Sequence, residues 1–141
     1  MNLIELGWKN WRVLAVCDDR GNCLVLEYLS ELGSSNKKAL KMLNRLRQHV
    51  PENGPEFNNK EKVKHLDDGI YEFRESPRTG PKPRVFFFRD ERNIVVCTEA
   101  FAKRNERLDS FIERAKRIRE AYSIAKQNKK IEIEKIPGDK E

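Results

Sequence analysis

Residues 62–74 read Lys62-Val63-Lys64-His65-Leu66-Asp67-Asp68-Gly69-Ile70-Tyr71-Glu72-Phe73-Arg74, and this stretch decides the fold. Upstream of it apolar side chains recur at helical spacing; after Glu61 the period becomes that of a strand. Asp68-Gly69 supplies the positive φ that a tight hairpin turn requires, so residues 62–66 and 70–74 are predicted as antiparallel strands. Residues 75–83 hold three prolines and a glycine and read as a loop. Two strongly apolar strands follow, 84–89 and 94–100, joined by the polar turn Asp90-Glu91-Arg92-Asn93.

Working outward, Trp11 to Cys17 is a further strand, closed by a cluster of turn formers at 18–22. Residues 24–32 read as a short helix. Ser34 or Ser35 caps a second helix over 37–50, with Leu40, Leu43, Leu46 and Val50 as its apolar stripe and Pro51 as its stop. Residues 106–126 form the longest helix, with Leu108, Phe111, Ile112, Ala115, Ile118, Tyr122 and Ala125 along one face and Arg107, Arg114 and Arg117 opposite. The element order is β-α-α-β-β-β-β-α. It predicts an α+β domain over residues 1–126, an antiparallel β-sheet with helices packed on one face and the other face free, followed by a polar, frayed tail over 127–141.

Composition narrows the class. A chain of 141 residues with 38% apolar and 37% charged side chains is charge-rich but can build a core, which excludes wholesale disorder. No apolar run is long enough to span a membrane, and residues 1–10 lack the pattern of a secretory signal, so a cytoplasmic location and no membrane partner are expected. Cys17, Cys23 and Cys97 are scattered and lie in apolar surroundings, as reduced core thiols do. With His49 and His65 as the only histidines and no paired ligand spacing, no metal or other cofactor is expected. The formal net charge is +6, and residues 60–126 hold 17 basic against 12 acidic side chains. A basic half on a small protein points to a polyanionic partner.

Strand alternation indicates which of these charges converge. Glu72 and Arg74 share one face of their strand; Arg84, Phe86 and Phe88 share one face of the next; Lys62 and Lys64 point the same way. If the 75–83 loop closes a hairpin, Arg74 and Arg84 meet at its mouth, and Lys103 and Arg104 arrive at the end of the last strand. Converging guanidinium and ammonium groups suit a phosphate, although edge charges that keep a β-sheet from aggregating follow the same pattern.

The motifs Gly69-Ile70-Tyr71-Glu72-Phe73-Arg74, Arg84-Val85-Phe86-Phe87-Phe88 and Ala100-Phe101-Ala102-Lys103-Arg104, in this order before an amphipathic helix, resemble the HigB-like branch of the RelE/ParE toxin superfamily, and the likeness runs from Trp11 to Tyr122. The resemblance implies a RelE-like fold and the toxin of a type II toxin–antitoxin pair. Many such toxins cleave mRNA without a metal, often on the ribosome, and are neutralised by an antitoxin that in this branch is a small helix-turn-helix protein. Carried over, the family's active basic residues fall on Arg74, Arg84 and Arg104, with Lys103 beside the last; Lys62, Lys64, Lys103 and Arg107 complete the expected contacts to RNA phosphates. The sequence departs from the pattern in several places. Glu72 stands where some relatives have a lysine, a tyrosine of other relatives would fall near Ser110, His65 is the only nearby histidine, and Val-Phe-Phe-Phe replaces Val-Leu-Tyr-Phe.

Attack of a ribose 2′-hydroxyl on the adjacent phosphorus needs a base, an acid and stabilised charge on phosphate. Arginine does not surrender its proton readily, so Arg74, Arg84 and Arg104 are stabilisers, and Glu72, Glu99, His65 and Lys64 are the candidate bases. Tyr71, Phe86 and Phe88 are candidates for stacking on bases. Two other readings remain open: a ParE-type poison of DNA gyrase, and a non-catalytic relative that binds nucleic acid.

Overall fold

A computed structural model of the chain describes residues 1–76, 78–103 and 108–139. In chain order the elements are β1 (Asn2–Trp8), β2 (Arg12–Val16), α1 (Leu24–Gly33), α2 (Lys37–Asn44), a π-helical turn (Arg45–His49), α3 (Val50–Asn53), β3 (Val63–Asp67), β4 (Ile70–Arg74), β5 (Lys82–Asp90), β6 (Ile94–Lys103), α4 (Asp109–Gln127) and β7 (Glu132–Lys135). The strands form one seven-stranded sheet in the order β3-β4-β5-β6-β2-β1-β7.

The central meander agrees with the sequence reading. β3 and β4 are antiparallel about a turn in which Asp68 (φ 44°) and Gly69 (φ 78°) both take the left-handed conformation. β4, β5 and β6 continue antiparallel. The sheet as a whole is not antiparallel, which corrects the expectation. β2 runs parallel to β6, and β1 parallel to β7. Two strands were not foreseen. β1 carries a bulge between Glu5 and Gly7 that breaks its alternation. The tail, expected to fray, is pinned as β7 against β1, and only pairing with the chain's first strand makes its short, charged sequence a strand.

Helices cover both faces, not one. On one side α1 and α2 pack Val25, Leu29, Ala39 and Met42 against Val13, Ala15, Val85, Phe87 and Cys97. On the other, α4 packs Ala115 and Tyr122 against Leu14, Phe86, Phe88, Val96 and Phe101. This explains why Val85-Phe86-Phe87-Phe88 is continuously apolar. All four are buried, because a strand covered on both faces has no solvent side to alternate with.

The second helix differs in detail. Asn36, rather than a serine, caps α2, accepting hydrogen bonds from Lys38 N (2.9 Å) and Ala39 N (3.2 Å). Helical structure also continues through Pro51. The π turn has already shifted the register, with Val50 N–H donating to the Arg45 carbonyl, so the missing proline N–H interrupts less. The Pro51 carbonyl then accepts from Asn10 N and Trp11 N, tying this segment to the β1–β2 connection.

On α4, Tyr122 donates a 2.7 Å hydrogen bond to Asp90 Oδ2, and Lys126 Nζ donates to the same oxygen at 2.9 Å. Burial raises the Asp90 pKa, but the hydrogen bonds from Lys126 and Tyr122 prevail and hold it below its ordinary value. A depressed carboxylate contributes stability that is present above about pH 4 and lost as pH falls through the folded value. Tyr122→Phe is therefore expected to cost about 1.5–3 kcal/mol near neutrality. The cost should shrink in acid, as urea titrations at the two pH values would register.

Candidate functional site

Strand register assembles the site on the α4 face of the sheet. One row across the strands runs Lys64, Glu72, Phe86, Glu99; the next runs Arg74, Arg84, Phe101; the last pairs Lys82 with Lys103. Alternation therefore places Lys64, Glu72, Arg74, Arg84 and Lys103 on one face, as the sequence pattern predicts. Arg74 and Arg84 are not merely near each other but directly opposed in register.

At the centre lies Glu72, with a side chain 1% exposed. Its Oε1 is 3.3 Å from Arg74 Nε and 3.5 Å from Arg84 Nε, and its Oε2 is buried without a hydrogen-bond partner. Burial pushes the Glu72 pKa up, while the positive charges of Arg84, Arg74, Lys103 and Lys64 pull it down; burial wins. Arg84 is itself buried. It donates to the Glu75 carbonyl at 2.7 Å and the Pro83 carbonyl at 2.8 Å, and burial lowers its pKa against the opposing effect of Glu72. This guanidinium holds the end of the β4–β5 hairpin together and does not face solvent. Arg74, at 27% side-chain exposure, does. The solvent-facing cations of the cluster are thus Arg74, Lys64, Lys82 and Lys103, with Glu72 and Arg84 as a buried foundation beneath them.

Glu75, one residue past β4, is a second buried node that the sequence gives no reason to single out. Its carboxylate accepts from Arg45 Nη1 (3.2 Å) on the π turn and from Lys62 Nζ (3.1 and 2.9 Å). Arg45 also donates to the carbonyls of Arg74 and Lys62. Lys62, expected among the phosphate contacts, is therefore held by a carboxylate at the sheet edge.

Other expected residues are placed elsewhere. His65 lies opposite Tyr71 in register, on the α1–α2 face; its Nε2 accepts from Gly69 N at 3.2 Å and its ring packs on Tyr71. The sheet separates it from Glu72, so it is no base for this cluster. Phe86 and Phe88 are core residues under α4 and closed to a nucleobase, whereas Tyr71 is half-buried, stacked on Phe87 on the opposite face of the sheet. Glu99 stays on the site face, bonded to Arg114, with Oε2 buried and unpartnered; burial raises its pKa despite Arg114. Arg104 and Arg107 lie outside the described residues. Among the described residues no group of three or more histidine, cysteine or acidic side chains is placed to hold a metal, and no helix is long and apolar enough to cross a membrane.

Fold and site together define a mixed α+β protein whose helix-covered sheet carries a patch of cations ringing a buried carboxylate. Residues 27–130 match the model of the phage-derived protein Gp49-like family (DUF891), and the chain belongs to that family. No curated protein matches it.

Proposed function

We propose that this chain is the toxin of a type II toxin–antitoxin pair, with a RelE-like fold, and that it inhibits translation by cleaving mRNA without a metal, held in check by a cognate antitoxin protein. Membership of a phage-derived family and the ordered motifs of strands β4 to β6 support the toxin assignment. The observation that carries the nuclease reading is the convergence of Arg74, Lys64 and Lys103 on one sheet face over the Glu72–Arg84 base.

In this reading Arg74 and Lys64 grip the scissile phosphate and stabilise the charge that develops on it, and Lys103 extends the grip. Arg84 acts beneath them as a positioning residue, because its guanidinium is committed to two carbonyls and to Glu72. Glu72 is too enclosed to take the ribose proton. Among the described residues no histidine stands on this face, so the ribose proton passes to water and the rate depends heavily on aligning hydroxyl and phosphate. Alignment alone lowers a barrier by roughly 7–11 kcal/mol, and a ribosome-bound message would supply it.

Expression from an inducible promoter, with and without the adjacent open reading frame, followed by mapping of RNA ends, tests the reading. Growth arrest with new mRNA ends is the expected result. Lys64→Ala with Arg74→Ala should cut cleavage by about 100-fold or more while the protein stays folded. Growth arrest with altered DNA supercoiling and no new RNA ends would overturn the proposal in favour of gyrase poisoning.

A further inference from the structure

The basic surplus is unevenly neutralised. On α4 every cation except Arg117 is paired: Arg114 with Glu99, Lys116 with Asp67, Arg119 with Asp68, and Lys126 with Asp90 and Glu91. Among the described residues, Lys38, Lys41, Lys60 and Lys64 form no ion pair, and all four lie around the β3–β4 edge and the adjoining α2. Two clefts open there. One, of about 480 Å³, is lined by Lys38, Lys60, Lys62 and Arg74 with Glu61 and Glu75. The other, of about 360 Å³, is lined by Lys41, Lys62, Asn44, Gln48, Asn59 and the His49–Glu56 pair. Lys62 belongs to both, and Arg74 joins the first to the cation cluster, so the three regions are contiguous.

We propose that these clefts are a path for single-stranded RNA, carrying the strand from the cluster around the β3–β4 edge onto α2; the proposal rests on the nuclease reading above. Unpaired lysines at successive points match a chain with one charge per nucleotide, and each contact releases a condensed counterion. The second cleft adds the donors and acceptors of Asn44, Gln48 and Asn59, which suit the edges of unpaired bases. A paired and stacked duplex could not put its bases into clefts of this size. An acidic protein segment could satisfy the same lysines and, through its backbone, the same amides, so a polyglutamate peptide is an arm of the test.

The test measures binding of 2′-O-methyl oligouridines, which resist cleavage, to the full chain by fluorescence anisotropy across a salt series. Probes of about 12 and about 3 nucleotides distinguish the path from the cluster, since single-stranded sites span roughly 4–16 nucleotides. The variant Lys38→Gln/Lys41→Gln/Lys60→Gln, its fold checked by circular dichroism, should bind the longer probe at least about tenfold more weakly. Its slope of log K against log salt should fall in magnitude by about 2, at roughly 0.7 per lost contact. Affinity for the short probe should stay unchanged. Unaltered affinity and slope for the long probe would overturn the path, as would equal binding of a polyglutamate peptide of matched charge. The two readings fail separately. Long-probe binding that responds to the triple variant, with no new RNA ends in cells, retires the nuclease and keeps the path; RNA cutting with an unresponsive triple variant retires the path alone.

Discussion

Glu72→Ala is expected to destabilise the fold by about 3–5 kcal/mol, the usual consequence of removing one partner from a buried ion pair. Arg84 would keep its positive charge at 2% side-chain exposure with only the carbonyls of Glu75 and Pro83 to stabilise it. A guanidinium cannot escape by losing its proton, so the burden falls on folding. Glu72→Met/Arg84→Met should be less destabilised than the sum of its parts, by a coupling of about 0.5–3 kcal/mol, because the surviving charge is gone. The rescue will be incomplete, since two carbonyls lose their donor. Urea titration of the four proteins gives the coupling. The pH dependence is a further check. A carboxylate whose pKa burial has raised binds its proton more tightly folded than unfolded, so stability declines as pH rises from about 4.3 through the raised value. Glu72→Gln should lack that decline.

The site was legible where geometry is local. Glu72 with Arg74, and Arg84 with Phe86, fall on one face because side chains alternate along any strand, and the short connections at 68–69 and 90–93 leave antiparallel pairing as the only choice. What the sequence could not supply is depth. Two arginines on one face of neighbouring strands look alike in a motif, yet Arg84 is sealed and Arg74 is open. The same holds for α2, where Leu40 was assigned to the core. Leu46 and Val50 are buried as the stripe predicts, but Leu40 is exposed and Ala39 and Met42 take the core side, with Arg45 drawn inward by Glu75, a contact 30 residues away in sequence. The parallel pairings were hidden for a related reason. β7 is a strand only because β1 lies beside it, and β1 is near the other end of the chain. Covering of the second face could have been read from the unbroken apolar run 85–88, which an exposed face would not tolerate.

Glu75→Ala should cost at least about 3 kcal/mol for the same reason as at Glu72, since it strands Arg45, a side chain 9% exposed, without its carboxylate. Glu75→Gln keeps an oxygen that can accept from Arg45 and loses only the charge, so its cost should be roughly half that of the alanine variant. Under the proposed nuclease function the two residues should differ in their effect on RNA binding. Glu72 lies under the cluster, and its loss should loosen the proposed grip on a phosphate. Glu75 lines the first cleft and holds Lys62 Nζ, the cation common to both, at 2.9 Å, keeping it from anything else. Released in Glu75→Gln, Lys62 becomes one more phosphate contact on the proposed path. Stability and affinity should therefore move in opposite directions: a lower urea midpoint, with tighter binding of the long oligouridine and a salt slope steeper by about 0.7. Loss of affinity in step with loss of stability would mean that Lys62 serves only to hold the β3–β4 edge against α2, and that the path must run without it.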